Sequence, residues 1–165
     1  MELDRLFLEE GQSVSMDYFN EEDVELYRKL KRLLKPYIEV LNFRRFETDM
    51  CYSFILIYSV PQVYDISRER LKETDMIIRV TQNFFIVISQ DSKMEDAIRV
   101  GSHILSTFNR EVFLMGQSIV KSKISVLSIE YTANLDYKII SYRIVEILKE
   151  MLKDDKNTWV KMIKM

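Results

Sequence analysis

Lys72-Glu-Thr-Asp75-Met-Ile-Ile-Arg79-Val-Thr81-Gln82-Asn83-Phe84-Phe85-Ile-Val-Ile-Ser89 reads as a β-hairpin. Two runs rich in β-branched and aromatic residues, Met76 to Val80 and Phe84 to Ile88, flank a short polar turn of Thr81, Gln82 and Asn83. Upstream, Tyr52 to Val60 is an apolar run short enough for a strand buried on both faces, and Pro61 closes it. Between them, Gln62 to Glu73 reads as a short charged helix carrying Val63, Ile66, Arg70 and Leu71.

Further elements follow from spacing. Asn20-Glu-Glu-Asp23 is a helix start with a capping side chain and acids in the first turn. Tyr27, Leu30, Leu34, Tyr37, Ile38 and Leu41 make its stripe, and Pro36 is expected to kink or end it. Downstream of the hairpin, Ser92-Lys-Met-Glu95 is a capping box opening a helix whose buried stripe is Met94, Ala97, Ile98, Gly101, Ile104, Leu105 and Phe108. Glu111 to Met115 and Ile119 to Tyr131 read as strands. A helix from about Leu135 to Lys153 turns Ile139, Ile140, Ile144, Ile147, Leu148, Met151 and Leu152 inward. Asp154 to Asn157 is a turn, Thr158 to Ile163 a last strand, and residues 1–19 carry no decisive pattern. Strands interleaved with crossover helices predict an α/β fold, a βαββαβ-type central sheet flanked by helices. The division is an N-terminal segment, 1–49, with a helix over about 21–41, and a domain over 50–165.

Composition bounds the function. At 165 residues and 47% hydrophobic, the chain can bury a full core. A formal charge of −2 gives no field to gather nucleic acid or anionic lipid, so neither nucleic acid nor a membrane is expected as partner. Cys51 is the only cysteine, which excludes an internal disulfide and a cysteine-rich zinc site. The N-terminus lacks a signal-peptide pattern and no apolar run approaches the ~20 residues that span a bilayer, so a reduced cytoplasmic setting is the expectation. His103 has no second histidine or cysteine in a ligating pattern and reads as an ordinary packed or surface residue.

Four segments, in order and spacing, resemble a GGDEF domain of the diguanylate cyclase family. Lys72-Glu-Thr-Asp75 followed by Arg79-Val-Thr-Gln-Asn-Phe-Phe85 is similar to the family's R-x-x-D site, an arginine, and the signature turn. Ser89 to Leu105 resembles the helix that follows. Ile124-Ser-Val-Leu-Ser128-Ile129 is similar to the v-T-v-S-i-G strand, with Glu130 in place of glycine. The stretch from Ile144 through Asn157 to Val160 matches the spacing of the A-D-x-A-L-Y-x-A-K-x-x-G-x-N ending.

The departures bear on chemistry. In the family, paired glycines admit the nucleotide and acids hold divalent metal and assist deprotonation of the attacking hydroxyl. The five signature positions here are Thr81, Gln82, Asn83, Phe84 and Phe85. Phenylalanine cannot ligate a hard cation, which requires oxygen. The first strand ends in Tyr58-Ser59-Val60 where the resemblance calls for an aspartate, and the stretch from Tyr58 to Asp75 is too short for the substrate loop. No catalytic residue, metal ligand or cofactor is therefore expected. The resemblance implies a degenerate, catalytically inactive regulatory or scaffolding module that acts through a protein partner or as a homodimer. One alternative is a sensor of cyclic di-GMP or another nucleotide, using Arg70, Lys72, Asp75 and Arg79; lysine is a poor substitute for arginine's planar fork there. The other is an enzyme whose site has moved to acids such as Asp65 or Glu130.

Overall fold

A computed structural model describes residues 5–7, 13–15, 19–45, 51–71, 75–90, 93–116, 122–129, 135–153 and 158–162. The elements run β1 (Arg5–Phe7), β2 (Ser13–Ser15), α1 (Glu21–Arg45), β3 (Tyr52–Tyr58), α2 (Gln62–Arg70), β4 (Met76–Arg79), β5 (Phe84–Gln90), α3 (Met94–Leu114), β6 (Lys123–Ile129), α4 (Tyr137–Lys153) and β7 (Thr158–Met162). β1 and β2 pair with each other, and the remaining strands form one sheet in the order β4-β5-β3-β6-β7. All its pairings are antiparallel except β6 with β7, which α4 joins as a crossover. The expected α/β sheet flanked by helices is thus the observed architecture.

β3 stands at the centre because its side chains are apolar on both faces. Tyr52, Phe54 and Leu56 pack with α1 and α4 on one side, while Ile55 and Ile57 pack with α2 and α3 on the other. The stripe of α1, with Tyr27, Leu30 and Leu34 at 2%, 0% and 0% exposure, docks on the chain's own sheet layer and on α4. That surface is consumed internally. Asn20 and Asp23 cap α1 reciprocally: the Asp23 N–H donates to Asn20 Oδ1 at 2.8 Å and the Asn20 N–H to Asp23 Oδ2 at 3.0 Å. An ion pair of Lys149 with Asp23 ties that cap to α4.

Four local expectations require correction. Pro36 does not end α1, which continues to Arg45, because Leu34, Ile38 and Leu41 on either side of it are all buried in one cluster. Glu111 to Leu114 are the last turn of α3: Val112 extends the buried spacing of Ile104 and Phe108, and Gly116 follows at φ 74°, the left-handed conformation that ends helices. The N-cap of α3 is Lys93, with no side-chain capping bond, and Ser92 lies outside the described residues. Leu152, expected inward, is 44% exposed, since the inward row of α4 ends at Met151.

Candidate functional site

The end of the sheet where β3 meets the hairpin gathers the residues singled out by the sequence. β3 and β5 pair so that Tyr58 faces Phe84 and Ile57 faces Phe85. The Ser59 N–H donates to the Asn83 carbonyl at 2.8 Å, bringing the strand end against the turn. Thr81, Gln82 and Asn83 are exposed, whereas Phe84 and Phe85 are 1% and 0% exposed. Phe84 belongs to the core beneath α1 and α4, and Phe85 to the core beneath α2 and α3.

The turn is built without glycine. Thr81 Oγ1 accepts the N–H of Asn83 at 3.3 Å and of Phe84 at 3.1 Å, while the Phe84 carbonyl accepts the N–H of Val80 at 2.9 Å and of Thr81 at 3.0 Å. A hydroxyl that imitates a backbone acceptor stabilises a turn that glycine would otherwise permit through its torsional freedom. The composition of the turn concealed this role of Thr81; its position directly after a β run was the available signal.

α2 lies over the hairpin. Its Tyr64 meets the Phe85 ring edge-on at 5.9 Å, and the Arg79 guanidinium sits 4.3 Å from the Tyr64 ring centre. Arg79 also donates to the Pro61 carbonyl at 3.4 Å, and Arg68 approaches the same ring at 5.9 Å. A charged guanidinium over an aromatic face gains about 0.5–1 kcal/mol at an exposed site. Tyr64 went unnoticed in the sequence because its partners Phe85 and Arg79 are remote along the chain, whereas Arg68 follows it by one helical turn. A cavity of about 460 Å³ opens on the other flank of α2, between it and α3, lined by Val60, Gln62, Ile66, Phe108, Glu111, Val112 and Met115.

The four residues considered as an anion site are dispersed as far as they are described. Asp75 accepts the Gln90 N–H at 3.3 Å at one end of β4, and Arg79 lies at the other. At ~3.3 Å per residue the two are about 13 Å apart. Lys72 and the Arg70 side chain lie outside the described residues. Of the acids considered for a relocated site, Asp65 is exposed on α2 and Glu130 lies outside the described residues. Among the described residues no three His, Cys, Asp or Glu side chains stand together as a metal site. The acid positions of the signature do not fit the divalent cation that the resemblance implies: Phe84 is sealed in the core, Asn83 carries an amide in place of a carboxylate, and Tyr58 offers a phenol where the strand end calls for an aspartate.

A structure of the active GGEEF domain of a diguanylate cyclase from Vibrio cholerae is similar to this chain, with a TM-score of 0.55 and 14% identity over 86% of this chain and 96% of that one. The fold is therefore GGDEF-like. No protein-family profile matches the chain. No curated protein matches it in sequence. Among the described residues no helix is long and apolar enough to cross a membrane.

Proposed function

We propose that this chain is a catalytically inactive GGDEF-like module that regulates or scaffolds through protein contacts, in the cytoplasm. The observation that carries the reading is the fate of the signature positions. As the resemblance places them, the two acid positions of the signature are held by Asn83, a neutral amide exposed in the turn, and Phe84, which is committed to the core beneath α1 and α4, while Phe85 stands at the signature's own phenylalanine. Tyr58 stands opposite Phe84 where the resemblance calls for another carboxylate. Phe84 supports packing and supplies no oxygen ligand, and Asn83 supplies no carboxylate. Thr81 then holds the turn by its hydroxyl, so the loop keeps its shape without the glycines that admit a nucleotide.

The experiment is incubation of the purified chain with GTP and magnesium or manganese, followed by chromatography of the products. No cyclic dinucleotide should form, and robust synthesis would overturn the reading. A second reading, a sensor of cyclic di-GMP or a related nucleotide, is favoured by one feature, the exposed Arg79 guanidinium held over the Tyr64 ring. Its planar N–H edge suits phosphate or a guanine edge. Calorimetry with cyclic di-GMP on the parent chain, Arg79→Ala and Lys72→Ala separates the two: the scaffold reading expects no heat, and the sensor reading expects heat that both variants abolish.

A further inference from the structure

β4 is one edge of the five-stranded sheet, and among the described residues no strand pairs with its outer side. The bond from the Val80 N–H to the Phe84 carbonyl points into the sheet. Because backbone groups alternate in direction along an antiparallel strand, the N–H and C=O of Ile77 and Arg79 point out of it, as do those of Asp75 just before the strand. Ile77 is half-buried and Arg79 exposed. Such an edge is a template for another strand.

We propose that the outer edge of β4 pairs antiparallel with β4 of a second copy of this chain, about a two-fold axis at Ile77. Only registers that oppose outward residues to outward residues close a ladder. An axis at Ile77 sets Asp75 of each copy across from Arg79 of the other. An axis at Ile78 sets Arg79 across from Ile77 and leaves the charges unmatched. Opposite charges directly across a ladder stabilise it and like charges destabilise it, so the side chains select the first register. Asp75 already accepts the Gln90 N–H through Oδ1, and a carboxylate has further lone pairs to offer. Arg79 sits over the Tyr64 ring and donates one N–H to the Pro61 carbonyl, and a guanidinium with five N–H groups has others for a partner. Two residues about 13 Å apart within one chain are thereby joined between chains.

The edge is short and buries much less than the roughly 800 Å² per partner of a standard interface, so the dimer is weak and forms at high concentration. It gives the contact-based role proposed above one partner, and rests on that reading for its purpose. The product assay tests the role and hydrodynamics tests the edge, so either can fail alone.

Sedimentation velocity on the full chain at rising concentration should show a monomer–dimer equilibrium. Asp75→Lys and Arg79→Glu each place like charges across the ladder twice, and each should weaken self-association by about tenfold or more. Mixing the two variants restores both opposite-charge pairs in a heterodimer, and association should return. Ile77→Pro removes an outward N–H that no bond within the sheet uses, so circular dichroism should stay native while association falls. A chain that is monomeric at every concentration overturns the proposal. So does self-association indifferent to the charge changes, or a mixture that associates no better than its components.

Discussion

Replacing Tyr27 by phenylalanine should stabilise the fold, although Tyr27 is 2% exposed and sits in the middle of the α1–α4 packing. Its ring lies edge-on to Tyr142 at 6.3 Å and beneath the Lys31 ammonium at 4.6 Å, and phenylalanine keeps both contacts. The hydroxyl is different: it is buried with no hydrogen-bond partner among the described residues. A buried unsatisfied donor costs about 1–3 kcal/mol, and removing it recovers part of that. Tyr52 is the control. It is 0% exposed in the same core, yet its hydroxyl donates to the Leu41 carbonyl at 3.2 Å. Tyr52→Phe should lose about 0.5–1.5 kcal/mol. The two substitutions delete the same atom from the same core and should move the unfolding midpoint in opposite directions, by roughly 2–4 °C per kcal/mol for a chain of this size. Urea and thermal melts of the parent and both variants read the signs. Destabilisation by Tyr27→Phe of the order seen for Tyr52→Phe would refute the reasoning, because it would mean that the Tyr27 hydroxyl is hydrogen-bonded.

Burial first, then the Asp136 carboxylate with Tyr137 and Tyr142, raises the Tyr27 phenol above its ordinary pKa of 10.0. The folded value exceeds the unfolded one, so its contribution is whole below pH 10.0 and is lost as pH rises through the folded value. Tyr27→Phe should therefore flatten the alkaline limb of the stability profile; parallel limbs for the two proteins would contradict this. A Cβ on Gly101 would lie 1.9 Å from Ile124 Cδ1 and 3.1 Å from Ile55 Cγ2. Gly101→Val should cost about 1–3 kcal/mol by overpacking, and Gly101→Ala less, since the gain of about 1 kcal/mol in helix propensity offsets it; equal melts for all three proteins would count against so close an approach of α3 to the sheet. Thr81→Ala removes the acceptor of two turn N–H groups and should cost about 1 kcal/mol in urea titration, while Thr81→Ser should cost less. Equal losses for the two would deny the hydroxyl its role in the turn.

The hairpin, β3 and the buried row of α4 were legible because each is a run of one periodicity. Tyr52 to Tyr58 is buried on both sides and Ile140, Ile144 and Met151 recur on one face. The reading failed where composition or a proline was allowed to outweigh helical periodicity. Val112, Phe113 and Leu114 have strand-like composition, but the four-residue step from Phe108 to Val112 carries the helix through them. Pro36 removes one backbone donor, and burial of the apolar side chains around it outweighs that loss. At the site, the signature turn could be placed from sequence because it is local. The approach of Arg79 to the Tyr64 ring and the bond between Ser59 and Asn83 were hidden, since each joins residues brought together only by the pairing of β3, β4 and β5 and the position of α2 over them.

The burial of Phe84 and Phe85 constrains how this sequence can change. A carboxylate substituted at either place would enter a dry core and cost several kcal/mol, comparable with a large fraction of the whole fold's stability. Neither position can turn acidic by one neutral step, because the helix packing above each ring would first have to open. Mutational drift at these two positions is channelled toward other apolar residues, and an acid at position 84, unlike one at the exposed Asn83, is reached only through chains too unstable to persist.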